Sequence, residues 1–306
     1  MPVPLILDCD PGHDDAIAIV VAARYAELLG ITTVAGNAPL DATTHNALVV
    51  RELLGADVPI HSGAARPIVE EPRAAPAVHG ASGLDGADLP TPTRPLDGTD
   101  AVCFIVETCR RRPGTWLVGV GPLTNLALAL RAAPDLADHV GGISVMGGGT
   151  FGNRSAVAEF NIWADPEAAA VVFGYGGPLV MAGLDVTHQL LATPERIDRL
   201  AAIDGPLAST LTALLRFFSR TYVGRHDDLP GAAVHDPCAV LALTHPELFT
   251  RRSRHVAIET AGRLTRGMTV IDRRSLVERP PPNCDVLERI DADAAWSLIV
   301  DAIALR

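Results

Sequence analysis

Short apolar runs alternate with polar loops and amphipathic stretches along the first two thirds of the chain. Residues 3–7 are an apolar run, residues 8–15 are polar, and residues 16–29 carry apolar positions at helical spacing, which predicts a strand, a loop and a helix. The same order recurs, with strands predicted at residues 31–35, 59–61, 116–120, 143–146 and 179–182, and helices at residues 43–54, 123–131 and 165–173. Strands that alternate with helices are typical of a mostly parallel sheet with helices on its faces.

The rest of the chain follows this alternation less regularly. Its predicted elements are a helical stretch at residues 194–222, a charged loop at 224–233, a helix from 235 to 243, strands at 254–260, 267–272 and 283–290, and an amphipathic helix at 291–305. The Pro- and Gly-rich residues 66–98 predict a long functional loop. No change of composition marks a linker, so residues 1–306 are expected to form a single α/β domain with an open, mostly parallel central sheet flanked by helices.

Charge and cysteine content narrow the class of protein. With 36 acidic and 25 basic residues the net charge is -11, which argues against a nucleic-acid partner and favours a small-molecule substrate. The one basic cluster, residues 110–112, closes a predicted helix, where cations suit the helix dipole without any ligand.

No apolar run approaches the roughly 20 residues that span a bilayer, so no membrane association is expected. The start of the chain has no basic stretch typical of a secretion signal. The five cysteines are odd in number and form no C-x-x-C pair, which fits neither a disulfide framework nor a zinc site. A cytoplasmic location is therefore expected.

Four carboxylates lie within eight residues directly after the first predicted strand: Asp8, Asp10, Asp14 and Asp15. Open α/β sheets place ligand sites at the carboxyl ends of strands, and hard oxygen ligands favour calcium or magnesium. Capping of a turn and a helix explains an isolated D-P-G segment equally well, but not four carboxylates together. Phosphoryl-transfer aspartates also occur as D-x-D after a strand, although Gly12 stands where those phosphatases need Thr or Val.

The segment from Asp8 to Asp15 resembles the signature of the nucleoside hydrolases, including the inosine-uridine preferring enzymes. Other segments similar to that family follow in order: Gly36-Asn37, Thr44-His45-Asn46-Ala47, His79-Gly80, Gly121-Pro122-Leu123-Thr124-Asn125, Met146-Gly147-Gly148-Gly149, Glu159-Phe160-Asn161, Asp165-Pro166-Glu167-Ala168 and His235-Asp236-Pro237. The matches extend from Asp8 to about Asp272 and so cover nearly the whole chain. The resemblance implies a nucleoside hydrolase fold with a Rossmann-like core, and hydrolysis of ribonucleosides to ribose and free nucleobase for salvage.

The same resemblance implies one Ca²⁺ per subunit, held by the side chains of Asp10, Asp15 and Asp236 and by the main-chain carbonyl of Thr124. Six to eight oxygen ligands suit calcium. From the residues alone, Thr124 and Asp236 are more typical of helix starts, so their assignment to the metal depends on the family.

The ribose-binding residues are likewise implied by the family. Asp14, Asn37, Asn161 and Asp236 would bind the 2′ and 3′ hydroxyls, and Asn153 and Glu159 the 5′ hydroxyl. A site built for hydroxyls rejects a sugar that lacks one, because buried polar groups are then left unpaired. Ribonucleosides are therefore expected to be preferred to deoxyribonucleosides.

The reaction needs an activated water and help for the departing base, since positive charge develops on the ribose as the glycosidic bond breaks. The metal would lower the pKa of a bound water, and Asp10 would take its proton as general base. His235 is the candidate acid for the base, with orientation of Asp236 as its other possible role. His79 would lie on a flap over the base, while Phe160 and Met146 either line the pocket or pack in the core.

Residues 219–228 depart from the family pattern, and Tyr222, Arg225 and His226 are candidates there for setting base preference. For any one of them taken singly, a solvated charged loop is the favoured description. A metal-dependent ribose- or nucleoside-binding protein without catalysis is the alternative function, but Asp10 and every expected metal ligand are present. Members of the family are commonly dimeric or tetrameric, so a homodimer or homotetramer is expected.

Overall fold

The computed structural model describes residues 1–223, 229–275 and 278–304. Its strands are β1 (Pro4–Cys9), β2 (Glu27–Thr33), β3 (Ile60–Ser62), β4 (Thr115–Gly119), β5 (Val140–Met146), β6 (Leu179–Ala182), β7 (Leu191–Ala192), β8 (Ala232–Ala233), β9 (Phe249–Arg254), β10 (Val256–Ile258), β11 (Thr269–Ile271) and β12 (Cys284–Ile290). Its α-helices are α1 (His13–Tyr25), α2 (Leu40–Leu54), α3 (Pro76–His79), α4 (Ala101–Arg111), α5 (Thr124–Ala132), α6 (Phe160–Ala164), α7 (Pro166–Phe173), α8 (Leu184–Thr187), α9 (Pro194–Ala201), α10 (Pro206–Val223), α11 (Pro237–Thr244) and α12 (Ala292–Ala304).

An eight-stranded sheet in the order β3-β2-β1-β4-β5-β6-β12-β9 forms the centre of the fold. All neighbouring pairs are parallel except β12 and β9, which run antiparallel at one edge. Two small antiparallel pairs, β10 with β11 and β7 with β8, lie outside it. The predicted mostly parallel sheet flanked by helices is confirmed.

Buried side chains form one apolar layer on each face of the sheet. Within β1, Leu5 and Leu7 belong to one layer and Ile6 to the other, as strand alternation requires. The first layer packs against α1, α2, α10, α11 and α12, and the second against α4, α5 and α7. Because both faces are covered, the central strands are apolar on both sides, which is why they appear in the sequence as continuous apolar runs.

Three predicted elements differ from the structure. The helix expected at residues 16–29 begins earlier and ends at Tyr25, because Ala26 is extended and Glu27–Thr33 pairs with β1. The helical stretch at residues 194–222 is split into α9 and α10 near Gly205, whose φ is +124°. The strand expected at 254–260 is two short strands, β9 and β10, since the first pairs with β12 and the second with β11.

The sheet order reverses between β1 and β4, so the connections that leave these neighbouring strands diverge toward opposite faces. Such a switch point opens a crevice at the carboxyl ends of the strands. The acidic loop follows β1 and the segment Gly121–Asn125 follows β4, which places two family motifs at this crevice.

Surface chemistry adds three findings. The arginines at the end of α4 all meet acidic partners: Arg110 pairs with Asp135, Arg111 with Glu107 and Arg112 with Glu27.

All five cysteines are unpaired thiols, four of them buried. Among the helices of the described ranges, none combines the length and the apolar character needed to cross a membrane.

The buried Arg51 binds the end of the loop at residues 66–98, so its substitution should affect stability. Its guanidinium lies 2.6 Å from Asp97 and donates to the carbonyls of Arg94 and Pro95 at 2.8 Å. Arg51→Met should lower the free energy of unfolding by about 2 kcal/mol, because Asp97 and two carbonyls lose their partner while Asp97 keeps partial access to water. Chemical denaturation measures this loss.

Arg110→Met is the matched control, since Arg110 forms an exposed pair with Asp135 and such pairs add little to stability. Equal losses in the two variants would contradict the role given to Arg51.

Candidate active site

The loop between β1 and α1 is folded around the carboxylate of Asp15. Its Oδ1 accepts a hydrogen bond from the amide of Asp10 at 3.2 Å, and its Oδ2 accepts from the amide of Gly12 at 2.9 Å. These bonds turn the chain back on itself at the start of α1. The side chains of Asp10 and Asp14, on either side of the turn, are thereby held near each other.

Asp10 presents one free carboxylate oxygen inside the protein. Its Oδ2 accepts from the amide of Asn37 at 2.6 Å, whereas its Oδ1 is buried with no hydrogen-bond partner in the described part of the chain. Two glycines make room for it: a Cβ on Gly36 would lie 2.1 Å from Oδ2, and one on Gly121 would lie 2.4 Å from Oδ1. A buried carboxylate oxygen without a donor is costly unless it meets a cation.

Asp236 completes the acidic cluster from the far end of the chain. It precedes α11 but makes no capping hydrogen bond with its side chain, in contrast to the helix-start role that its position before Pro237 favours. Carboxylate oxygens of Asp14, Asp15 and Asp236 lie within 4.8 Å of one another, and all three residues are buried. Hard oxygen donors at this spacing fit a divalent cation such as calcium or magnesium.

Burial and mutual repulsion dominate the electrostatics of this cluster. Burial, followed by the charge of Asp15, raises the pKa of Asp10 well above its ordinary value and that of Asp14 to about 7. Burial and the charges of Asp14, Asp15 and Asp10 likewise raise the pKa of Asp236 well above its usual range. A positive ion among these groups would favour their charged forms instead.

Asp8 joins neighbouring elements through one carboxylate oxygen, whereas its Oδ2 is buried without a hydrogen-bond partner among the described residues. Its Oδ1 accepts from the Thr32 hydroxyl at 2.5 Å and from the Asn125 amide at 2.8 Å, which ties β1 to β2 and to the first turn of α5. Burial raises its pKa to about 7. Of the four carboxylates in the acidic loop, Asp8 is therefore the one whose hydrogen bonds join secondary-structure elements to one another.

Thr124 begins α5 next to Asn125. Its hydroxyl donates to Asp165 Oδ2 at 2.6 Å, and Asp165 also accepts from the amide of Ile68 at 3.0 Å. Thr124 lines a neighbouring cavity with Gly36 and Pro122, not the cavity above the acidic cluster. The metal contact expected of its main-chain carbonyl stays a prediction.

A cavity of about 340 Å³ lies above the acidic cluster. It brings together eleven of the residues singled out from the sequence: Asp14, Asn37, His79, Met146, Asn153, Glu159, Phe160, Asn161, Tyr222, His235 and Asp236. Asp10 and Asp15 are fully buried and do not line it. The volume suits a molecule the size of a nucleoside, and such convergence of polar groups is typical of a binding site.

Two amides present acceptors to this cavity. The Asn37 Nδ2 group donates to the carbonyl of Asp10 at 3.2 Å and to Asp15 Oδ2 at 3.1 Å. The Asn161 Nδ2 group donates to the carbonyls of Val120 at 2.8 Å and Met146 at 3.2 Å. Each side-chain amide has two N–H groups, and both are used in these hydrogen bonds. The amide oxygens are therefore left to accept from donors such as hydroxyl groups.

Glu159 and Asn153 form another wall. The Glu159 carboxylate accepts from the amides of Asn161, Gly148 and Ile162 and so caps α6. Burial nevertheless raises its pKa to about 7. Asn153 Oδ1 accepts from the amide of Phe160 at 2.9 Å, which leaves its N–H groups for a ligand.

His235 is held between two hydroxyl groups. The Thr187 Oγ1 lies 2.7 Å from its Nδ1, and the Tyr222 hydroxyl lies 3.1 Å from its Nε2. The same Tyr222 hydroxyl is 3.2 Å from His188 Nε2. Burial raises the pKa of Tyr222 well above its ordinary value. Tyr222 and His235 both line the cavity, so a hydroxyl and an imidazole act together on this side.

His79 lies against a stack of aromatic rings formed by His13, Phe217 and Phe218. His13 Nε2 is 2.9 Å from the carbonyl of Asp85, to which it must donate, and its Nδ1 is 3.1 Å from His79 Nδ1. Burial lowers the pKa of His13 to about 4, so its ring is neutral and has one proton. His79 therefore donates through Nδ1 and keeps an unprotonated Nε2.

Sequence reasoning missed several cavity residues. Phe218 lines the cavity from α10 and Arg154 from the loop before α6, while Thr187 of α8 lies behind them against His235; neither periodicity nor a motif distinguishes these residues before the fold brings them together. Tyr222 lines the cavity, and its part in base preference stays a prediction. Arg225 and His226, also named as candidates for base preference, lie outside the described residues.

Comparison with known proteins gives four results. Residues 5–297 match the family model described as inosine-uridine preferring nucleoside hydrolase. The chain is 44% identical to the pyrimidine-specific ribonucleoside hydrolase RihA of Shewanella sp. strain ANA-3, over 99% of this chain and 96% of that protein. The structure superposes with a TM-score of 0.92 on a purine-preferring ribonucleoside hydrolase from Gardnerella vaginalis, at 32% identity and 98% coverage of both chains. A plant nucleoside hydrolase, PpNRh1, gives a TM-score of 0.91 at 31% identity over 100% of both chains.

The tight space around Asp10 generates a prediction for cation binding. Gly36→Ala would place a methyl group 2.1 Å from Asp10 Oδ2 and 2.7 Å from a carbon of Pro122, so the carboxylate must move. The affinity for calcium should fall at least about tenfold, measured by calorimetric titration after dialysis against a chelator. Gly55→Ala is the control: it is also strained, at a φ of +59°, but no atom lies within 4 Å of its Cβ, and it should bind calcium normally. Unchanged affinity in Gly36→Ala would refute the assignment of Asp10 to the ion.

Proposed function

The chain belongs to the inosine-uridine preferring nucleoside hydrolase family and hydrolyses ribonucleosides to ribose and free nucleobase, and we propose that it does so with a calcium ion and with Asp10 as general base. One observation carries the proposal. The Oδ1 of Asp10 has no hydrogen-bond partner among the described residues and is buried beside a cluster of carboxylates. Both lie directly below a cavity lined by amide oxygens that can accept hydrogen bonds from hydroxyl groups. The alternative, a ribose- or nucleoside-binding protein without catalysis, is not favoured, because the family and the relatives are ribonucleoside hydrolases.

The proposed ligands of the ion are the carboxylates of Asp10, Asp15 and Asp236 and the main-chain carbonyl of Thr124, with Asp14 close enough to join them. The oxygen-only donor set favours calcium over zinc. When bound, the ion supplies positive charge to the ribose hydroxyls and lowers the pKa of an adjacent water.

Asp14, Asn37 and Asn161 are proposed to orient the ribose. Their free oxygens accept from the 2′ and 3′ hydroxyls, as does Asp236, while Asn153 and Glu159 contact the 5′ hydroxyl. Asp10 Oδ1 then takes the proton of the water that attacks C1′. The negative carboxylates below the ring also stabilise the positive charge that develops on the sugar.

Protonation of the departing base is assigned to His235 working with Tyr222. Both ring nitrogens of His235 face hydroxyl groups, so we propose that its proton reaches the base through the Tyr222 hydroxyl. His79 is suited to a different role. Its unprotonated Nε2 can accept from an N–H of the base but cannot protonate it. Phe160 and Met146 are proposed to pack against the substrate.

Base preference and assembly are further parts of the proposal. Similarity over nearly the whole chain to a pyrimidine-specific relative supports pyrimidine ribonucleosides as the preferred substrates. We also propose one catalytic domain over residues 1–306, a homodimer or homotetramer, and a cytoplasmic location. Five unpaired cysteines suit a reducing compartment.

The first test measures release of free base and reducing sugar from uridine, cytidine, inosine, adenosine and guanosine, with calcium and after exhaustive chelation. Calcium-dependent release, fastest from the pyrimidines, is expected. Asp10→Asn should lower kcat at least about a hundredfold, as loss of a general base does. The control Asp138→Asn alters a residue outside the cavity and should keep full activity. Full activity of Asp10→Asn would overturn the mechanism, and no release from any nucleoside would overturn the function.

The raised pKa values predict how the free energy of unfolding depends on pH. Without added cation, the pKa of Asp14 is about 7 in the folded state and near its ordinary value of 3.8 when unfolded, so the folded protein holds more protons between these values. The free energy of unfolding must therefore fall as pH rises through that window. Calcium favours the ionised carboxylates and reverses the loss, so its effect on Tm should be larger at about pH 8 than at about pH 5. Equal stabilisation at both pH values would contradict the carboxylate site.

A further inference from the structure

Two buried histidines meet between the acidic loop and α3. His13 lies in the first turn of α1 and is fully buried, and His79 ends α3 and is 7% exposed. Their Nδ1 atoms are 3.1 Å apart, whereas their ring centres are 5.3 Å apart. A short distance between nitrogens with widely separated ring centres places the two rings edge to edge. The contact is therefore a hydrogen bond between imidazoles.

The direction of this hydrogen bond follows from the other nitrogen of His13. Its Nε2 lies 2.9 Å from the main-chain carbonyl of Asp85, which can only accept, so His13 donates there. The ring is buried beside Phe217 and Phe218, and a cationic ring without a carboxylate partner would be costly in that place. A neutral His13 has its single proton on Nε2, so its Nδ1 accepts from Nδ1 of His79.

The surrounding turn holds the Asp85 carbonyl in place. The Asp85 carboxylate accepts from the amide and from the hydroxyl of Ser82, which closes the turn after α3. Asn46 donates to the carbonyls of Ser82 and Pro11, both at 2.9 Å, and so joins this turn to the acidic loop. The acceptor that orients His13 is thus fixed by contacts that involve neither imidazole ring.

His79 also lies close to the backbone of the acidic loop. A Cβ on Gly12 would be 2.6 Å from His79 Nδ1 and 2.9 Å from His79 Cε1. With Phe218 and Tyr222, His79 lines the part of the cavity that is built from helices outside the sheet. Since Nδ1 is used in the bond to His13, the unprotonated Nε2 is the nitrogen left to a ligand.

We propose that His13 is a positioning residue that determines which nitrogen of His79 carries the proton, and that it thereby selects bases with an N–H on the edge far from the glycosidic bond. The inference rests on the proposed function and deepens it. A ribose bound at the acidic cluster directs its base toward His79 and Phe218. The Nε2 lone pair then accepts from an N–H such as N3–H of uracil, whereas a methyl group at that place offers it no proton.

The first test determines the tautomer of His79 directly. Nitrogen NMR of calcium-loaded protein with isotope-labelled histidine distinguishes protonated from unprotonated ring nitrogens, and the signals of His79 are identified by their loss in His79→Gln. We expect a proton on Nδ1 and none on Nε2 in the native enzyme, and loss of this preference in His13→Leu. A proton on Nε2 of His79 in the native enzyme would overturn the inference without any variant.

The second test compares uridine with 3-methyluridine, which lacks the N3–H. The native enzyme should have the higher kcat/KM for uridine. In His13→Leu the ratio of the two kcat/KM values should fall at least about fivefold, as expected for the loss of one hydrogen bond to a buried group. His13→Asn should restore most of the ratio, because asparagine is similar in size to leucine but offers Nδ1 of His79 an oxygen acceptor. Both substrates use the same calcium ion, so the ratio cancels a change in its affinity.

Asn46→Ala is the matched control, because it removes a donor to the same turn without touching either imidazole. It should keep both the tautomer of His79 and the ratio. An equal fall of the ratio in Asn46→Ala and His13→Leu would mean that His13 only holds the turn, and this overturns the inference alone. An unchanged ratio in His13→Leu, with uridine still hydrolysed, does the same. Failure of the native enzyme to release uracil from uridine overturns the proposed function, and this inference with it.

Discussion

Confinement of several carboxylates in one buried space is the constraint on which the rest of the structure depends. Asp10, Asp14, Asp15 and Asp236 are all buried, and their mutual repulsion and loss of water favour their neutral forms. Main-chain amides offset part of that cost at Asp15 and at Oδ2 of Asp10, but Oδ1 of Asp10 has no donor in the described chain. Hard oxygen donors gathered in this way are able to bind a divalent cation, whose charge would offset the remaining cost.

Backbone geometry makes this confinement possible. The carboxylate of Asp10 fits only because Gly36 and Gly121 lack side chains at the carboxyl ends of β2 and β4. Those ends lie on either side of β1, beside the point where the order of the sheet reverses, so the neighbouring strands enclose the acidic loop that follows β1. Asp8 stabilises the same edge of the sheet, because it joins the end of β1 to Thr32 of β2 and to Asn125 of α5.

The predictions from sequence succeed where the chemistry is local. The acidic loop, the parallel sheet and most strands are determined by neighbours in the sequence, and Asn37, Glu159 and Asn161 are found through family motifs that keep their spacing. The end of α1 was misplaced because pairing of Glu27–Thr33 with β1 prevails over helical periodicity. Thr187, Tyr222 and His235 make one hydrogen-bonded group from distant parts of the chain, and no local pattern predicts such a contact.

The cavity divides into two halves of different origin. The side with Asn37, Asn161 and Glu159 is built from the carboxyl ends of sheet strands and from α6, and these side chains bond to main-chain groups. The side with Phe218, Tyr222 and His79 is built from α10 and α3, which lie outside the sheet and make their contacts here through side chains. Substitutions in α10 can therefore change that side of the cavity without moving Asp10 or the acidic cluster.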